Sequence, residues 1–368
     1  MHALSAPRIG PLPSGPHDAI SDVTGITVGH CTRDEGDDVR TGVTVLRPHD
    51  GDPFMQRVPA GLAVFNGFGK SVGLLQVEEL GVLETPIALT NTFSVPTVAA
   101  AQIRHCMALN PECGRRLPTV NPLVFECNDG YLNDIRRMAV TEVDYRVAFD
   151  AAGVNVEQGS IGAGRGMSSF GLKGGIGTAS RLAAAGRLGT FTIGALVLVN
   201  FGVLADLVVA GQPIGQALAS ARKAKVSAQP EAEKGSIIMI LATDAPLDAR
   251  QLRRLARRAG AGLARTGSVY GHGSGDIALA FSTAYTVPQR IDAPMPTPAL
   301  LHDGLLDSLF HAAADSVEQA ILHALFCQAG EFRGRSGHVR QALPDLLRGW
   351  PADRFETFAN AAKATEAT

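Results

Sequence analysis

ARKAKVSAQPEAEKGSIIMILA, residues 221–242, changes character at one bond. Up to Lys234 it is polar, charged and broken by Pro230, which predicts an exposed connector. From Ser236 to Ala242 every residue after the serine is apolar, which predicts a strand covered on both faces. Gly235 sits between the two. The same alternation of short apolar runs with helical spacing recurs along the chain. Strands are expected at residues 60–66 (AGLAVFN), 86–90 (PIALT), 122–126 (PLVFE), 190–201 (TFTIGALVLVNF), 204–210 and 276–285. Helices are expected at 71–80, 96–109, 305–326 and as one continuous element through Leu252, Leu255, Ala256, Ala259 and Leu263. These elements predict one mixed α/β domain over residues 22–368, layered with sheets and helices, preceded by a loose or surface-hugging arm at 1–21.

Composition narrows the function. Lys plus Arg (33) nearly balances Asp plus Glu (35), so no strong field favours nucleic acid or an anionic membrane. No run reaches the roughly 18 apolar residues of a membrane helix. The first twenty residues hold four prolines and no apolar core, unlike a signal peptide. Five cysteines without CxxC spacing suit a reducing compartment, and a cytoplasmic location is the expectation. The ten histidines are dispersed without HExxH, so neither a metal nor another cofactor is expected. The run at 159–181, GSIGAGRGMSSFGLKGGIGTASR, contains GxGxG but no GxxxxGK[ST], and Lys173 is not a phosphate-loop lysine.

Three places carry chemistry. At Gly235-Ser236 a serine hydroxyl could attack the carbonyl just before it, since glycine tolerates the strained backbone that such an attack needs. An N→O acyl shift and hydrolysis would then leave residues 1–235 and 236–368, with the new α-amine of Ser236 as a base of pKa about 7.7–8.0. The same dipeptide also serves simply to end a loop before a strand. Ser274 and Asp276, two apart in an extended segment, project to one face and could relay a proton or orient an amine; a turn with an Asx-type bond is the plainer alternative. His272 invites a Ser/His/Asp reading but ranks below Ser274. Residues 125–134, FECNDGYLND, gather acidic, amide and phenolic groups after a strand, or else cap a helix at Ile135 through Asn133 or Asp134.

Several of these stretches, in order, resemble the L-aminopeptidase/D-esterase family, which includes the β-peptidyl aminopeptidases. The likeness runs from Asp22 to about Pro344. It rests on DVTGITVGH (22–30), VRTGVT (39–44), NGFGK (66–70), LETPI (83–87), LTNT (89–92), NDGYLND (128–134) and the glycine-rich run at 162–181. Asn200, Gly235-Ser236 with TDAPL (243–247), and GSGD (273–276) complete it. The resemblance implies a four-layer αββα sandwich like that of the Ntn-hydrolases but differently connected, as in ornithine acetyltransferase. It implies self-cleavage before Ser236, assembly as a tetramer of αβ heterodimers, and hydrolysis of peptides, amides or esters with a free N-terminal amine. By the same match Ser236 is the nucleophile, Ser274 and Asp276 assist it, Asn200 donates to the oxyanion, Glu126 pairs with the substrate ammonium and Tyr131 lines the site. Some members carry Glu where this chain has Asp276, and Cys127 stands where a small polar residue is expected. An acyltransferase using the same nucleophile, or an uncut oligomeric binding or scaffold protein, are the competing readings.

Overall fold

The computed structural model describes residues 4–221 and 234–348. The connector expected at 221–234 therefore lies almost wholly outside the described residues. Two sheets of four and seven strands form the body; two of the seven are the short pieces Val82–Leu83 and Val287–Pro288 paired with Gln56–Gly67, and nine longer strands make up the rest. In chain order they are β1 (Thr27–Glu35), β2 (Val39–Arg47), β3 (Gln56–Gly67), β4 (Ile87–Asn91), β5 (Leu123–Cys127), β6 (Gly175–Ala184), β7 (Thr190–Asn200), β8 (Lys234–Thr243) and β9 (Gly273–Ser282). The smaller sheet has the order β1-β2-β4-β5, and the larger is built on β3-β9-β8-β7-β6. Two neighbouring pairs are parallel, β4 with β5 and β8 with β9; the rest are antiparallel.

The apolar run after Ser236 explains the layering. Side chains alternate along a strand, so Ile237, Met239 and Leu241 enter one core while Ile238, Ile240 and Ala242 enter another. The second core lies between the sheets, where it meets Leu46, Leu89 and Phe125 of the smaller one. The first lies under the helices α1 (Ala249–Ala256), α2 (Ala259–Arg265) and α3 (Leu306–Phe326). On the far side, Val95–Leu109 and Glu142–Asp150 cover the smaller sheet through Val98, Ala101, Tyr145 and Ala148. Helix, sheet, sheet, helix: the αββα sandwich is present. Close approach of α3 to β6 depends on Gly177, where a Cβ would come within 1.9 Å of the Ala320 carbonyl oxygen.

Two expectations on local structure fail for identifiable reasons. The helix through Leu252 and Leu263 is broken at Arg257-Arg258 into α1 and α2. At the bend the guanidinium groups of Arg258 and Arg254 lie 3.9 and 5.2 Å from the Phe310 ring, a cation–π clasp on α3. Residues 204–210 form no strand: Leu204–Asp206 is a 3-10 turn, and Val209 makes only an isolated bridge to Gln212. Leu207 and Val209 still enter the helix-side core, so the run is apolar because it is buried, not because it is extended.

The first residues are tied to the body. Ile9 and Ile20 are buried, the Ile9 amide donates to Gln319 of α3 at 2.7 Å, and the Arg181 guanidinium donates to the Ile9 carbonyl. No helix among the described residues is long and apolar enough to cross a membrane.

Candidate active site

Strand register brings the sequence-predicted residues to one end of the larger sheet. Ser236 opposes Asn200 on β7 and Gly275 on β9, while Gly235 opposes Ser274. Ser236 has the parity of Ile238 and Ile240, so its side chain lies on the inter-sheet face, where the ends of β4 and β5 approach. There a pocket of about 730 Å³ is lined by Glu126, Asn128, Tyr131, Ser168, Asn200, Gly235, Ser236 and Arg340, among others.

Gly235 has φ +143°, and a Cβ there would lie 2.0 Å from the Asn200 carbonyl oxygen. Only glycine fits. The Ser236 hydroxyl donates to the Gly235 carbonyl oxygen at 2.6 Å and accepts from the Gly275 amide at 3.3 Å. The hydroxyl therefore lies directly against the carbonyl of the preceding residue.

Asn200 is clamped from two sides. Its Oδ1 accepts from the Ser168 amide at 2.9 Å, and its Nδ2 donates to the Asn128 carbonyl at 3.0 Å. This fixes which way the amide points and leaves one N–H of the NH₂ for another acceptor. Glu126 is buried, and its two oxygens accept from the Lys70 amide at 2.7 Å and from the Thr92 hydroxyl. Tyr131 is partly exposed on the pocket wall, its ring beneath Arg340 at 3.3 Å and stacked with His338 at 4.6 Å.

Ser274 and Asp276 are brought together: the hydroxyl donates to the carboxylate at 2.6 Å, and both residues are fully buried. They share the parity of Ala278 and Ala280, which enter the helix-side core. Ser274 thus lies opposite Gly235 and Asp276 opposite Ile237, both on the face away from the Ser236 hydroxyl. His272 is exposed, with its ring 6.3 Å from Phe68, and lines no part of the pocket. Asp134, not Asn133, caps the turn at Ile135–Arg137, and that turn is 3-10. Cys127 is fully buried between the sheets, and burial pushes its thiol well above the ordinary range.

Four partners escaped the sequence reading. Thr92 and Lys70 hold Glu126, Ser168 holds Asn200, and Arg340 covers Tyr131. Asn66 adds a tether, its Nδ2 donating to the carbonyls of Gly271 and His272, both at 3.1 Å, at the foot of the GSGD loop. Two ionisable side chains outside the pocket lining are fully buried. Lys173 donates to the carbonyls of Gly164, Met167 and Gly174 at 2.9, 3.0 and 2.7 Å, and burial pulls its ammonium well below the usual lysine value. Asp129, bonded by Asn133 Nδ2 at 3.0 Å, is pushed up to about 7 by burial.

Fold and pocket together define a hydrolase of the N-terminal-nucleophile kind. Comparison with known proteins agrees and sharpens it. The profile of peptidase family S58 matches residues 18–340. The chain is 37% identical over 330 residues to the β-peptidyl aminopeptidase BapA of Sphingosinicella xenopeptidilytica, covering 84% of this chain and 81% of that one. Among solved structures it is similar to the PH0078 protein of Pyrococcus horikoshii (44% identity, TM-score 0.86, 93% and 96% of the two chains covered). It is also similar to the L-aminopeptidase D-Ala-esterase/amidase of Ochrobactrum anthropi, described as a variant of the Ntn-hydrolase fold (36% identity, TM-score 0.83, 92% and 95% covered). The chain belongs to peptidase family S58 and is a serine aminopeptidase/amidase.

Proposed function

We propose that Ser236 performs two reactions in turn. In the first its Oγ attacks the Gly235 carbonyl carbon. The C–N bond breaks, the serine proton passes to the departing nitrogen, and an ester joins Gly235 to Oγ. Water hydrolyses that ester, leaving a Gly235 carboxylate and a free α-amine on Ser236. In the second reaction Ser236 attacks the carbonyl of a substrate's N-terminal residue, whose ammonium pairs with Glu126. The Ser236 α-amine takes the Oγ proton as the attack proceeds, the oxyanion accepts from the remaining N–H of Asn200, the resulting α-ammonium gives that proton to the leaving amine as the C–N bond breaks, and water then hydrolyses the acyl-enzyme. The Ser274–Asp276 pair, opposite Gly235 and Ile237, is assigned to the new α-amine rather than to the hydroxyl, because strand parity turns it away from Oγ. Tyr131 shapes the wall.

One observation carries this reading: a hydroxyl 2.6 Å from the carbonyl oxygen before it, opening on a pocket that also holds a buried carboxylate and a clamped amide. The substrates are peptides, amides or esters with a free N-terminal amine. We extend the proposal to a tetramer of cleaved pairs in the cytoplasm. Exposed Ile291 and Met295 and five free cysteines are in keeping with it.

Intact mass and denaturing electrophoresis test the core of the proposal. Aged wild-type protein should give two fragments, and Ser236→Ala a single 38.5 kDa chain without aminoacyl-p-nitroanilide hydrolysis. An active wild type that stays in one piece overturns it. Release of acyl-amine product with an added acceptor amine would instead mark an acyltransferase.

A further inference from the structure

Lys173 takes no part in the reactions assigned to Ser236, yet it is fully buried. Taking an ammonium out of water costs stability that an apolar side chain of the same length would not, so packing alone does not account for a lysine there. We propose that Lys173 is a positioning residue for hydrolysis: through the Met167–Ser168 peptide it holds the Asn200 amide in line with the oxyanion. The inference rests on the reading of Asn200 as the oxyanion donor.

The linkage is a chain of short contacts. The Lys173 ammonium donates to the Met167 carbonyl at 3.0 Å, and the amide at the other end of that peptide, on Ser168, donates to Asn200 Oδ1 at 2.9 Å. A peptide is one rigid plane, so what fixes its carbonyl also fixes its N–H. Each bond in such a chain polarises the next. A cation at the Met167 oxygen makes the Ser168 N–H a better donor, which draws charge onto Oδ1 and makes Nδ2 a better donor in turn. Nδ2 gives one N–H to the Asn128 carbonyl at 3.0 Å, and the other is the one assigned to the oxyanion.

The lysine is built in as a three-point clamp. Its other contacts are the Gly164 carbonyl at 2.9 Å and the Gly174 carbonyl at 2.7 Å. Three carbonyls thus take the three N–H of an ammonium, whereas a neutral amine has only two. The Phe332 ring lies 5.4 Å from Nζ. Of the charges that act on the group, Arg165 disfavours the ammonium and Asp129 favours it. Lys173 also closes a hairpin, Ser168–Ser169 with Leu172–Lys173, whose turn residues Phe170 and Gly171 stand at φ +53° and +68°. That hairpin is seated on the residue after Asn200: the Ser169 hydroxyl and the Phe170 amide both donate to the Phe201 carbonyl, at 2.8 and 2.7 Å. One end of the hairpin is therefore docked on the strand that carries Asn200, and the lysine fixes the end whose amide aims it.

The test is a double-mutant cycle on the self-cleaved enzyme, with kcat and KM read on an aminoacyl-p-nitroanilide. Lys173→Met should lower kcat about tenfold, the worth of one hydrogen bond, and leave KM little changed. In an Asn200→Ala background the same substitution should cost less than about twofold, since no amide remains to be aimed. Lys173→Gln, which can still give two N–H to the clamp, should fall between Lys173→Met and wild type. Completeness of the self-cut and the circular-dichroism melt report folding separately, and if Lys173→Met gives no folded protein the cycle is run with Lys173→Gln. An unchanged kcat in the lysine variant that carries the cycle overturns the inference. So does an equal loss with and without the Asn200 amide, which would make the lysine a general support of the fold. Asn200→Ala with an unchanged kcat removes the oxyanion reading and this inference with it, a separable result.

Discussion

A methyl group at position 235 would meet the Asn200 carbonyl oxygen at 2.0 Å on a backbone at φ +143°, so the bond proposed to be cut is held where only glycine fits. Gly235→Ala should therefore slow self-cleavage sharply, read as the cut fraction against time on denaturing gels, while the strand beyond Ser236 keeps its two cores. Cutting at the wild-type rate would remove the geometric argument. In the proposed mechanism Asn200 acts on the other reaction. Its amide is oriented by Ser168 and Asn128 and opposes Ser236 in register, whereas the proposed ammonium anchor, Glu126, lies on another strand. In material that has finished cutting, Asn200→Ala should lower kcat about 10²–10³-fold and change KM little. A rise in KM at constant kcat would make Asn200 a binding residue instead.

At the scale of elements, the loop after β5 rests on a buried acid. Unfolded, the Asp129 carboxyl ionises near 3.9; folded, burial raises it to about 7. Between those values the folded chain binds a proton that the unfolded chain lacks, so this residue makes stability fall as pH rises from about 4 to 7 and level off above. Lys173, whose folded value is lowered, contributes the opposite slope as pH rises toward the lysine range. The comparison that isolates the aspartate is the wild-type melting temperature minus that of Asp129→Asn, followed from pH 5 to 8. That difference should shrink or reverse toward alkaline pH; a difference independent of pH would show that Asp129 does not titrate in this range. Such support was not legible in the sequence. Periodicity exposes strands such as 236–242 and helices such as 305–326, because each must match a buried face. It says nothing of Lys173 or Ser168, which act through backbone carbonyls and an amide within a glycine-rich run that has no period. The same holds for Arg340, whose contact with Tyr131 joins residues more than two hundred apart through an exposed hairpin. The Ser274–Asp276 pair was legible because two-residue spacing on a strand is itself geometry. Its face relative to Ser236 was not, since that depends on the register between β8 and β9.

For the molecule as a whole, the proposed cut falls inside the larger sheet. Reading across it, β3 comes from residues before Gly235, β9 and β8 from after it, and β7 and β6 from before it again. The second piece is therefore inserted between strands of the first, hydrogen-bonded on both flanks: β8 to β7 from Asn200–Ser236 through Ile193–Thr243, and β9 to β3 from Gly275–Gly67 through Phe281–Ala60. Its helix α3 also covers β6 and β7, both in the first piece. Pulling the pieces apart means opening two ladders and both cores of that sheet, which is unfolding rather than dissociation. Hydrolysis of one peptide bond should thus change the native mass not at all. The cut protein should elute at the same volume as uncut Ser236→Ala, and its fragments should separate in denaturant only as circular dichroism is lost, in one coincident transition. Release of either fragment below that transition would mean that the pieces are merely neighbours, and that a nucleophile created by breaking the chain is not held by the sheet that positions it.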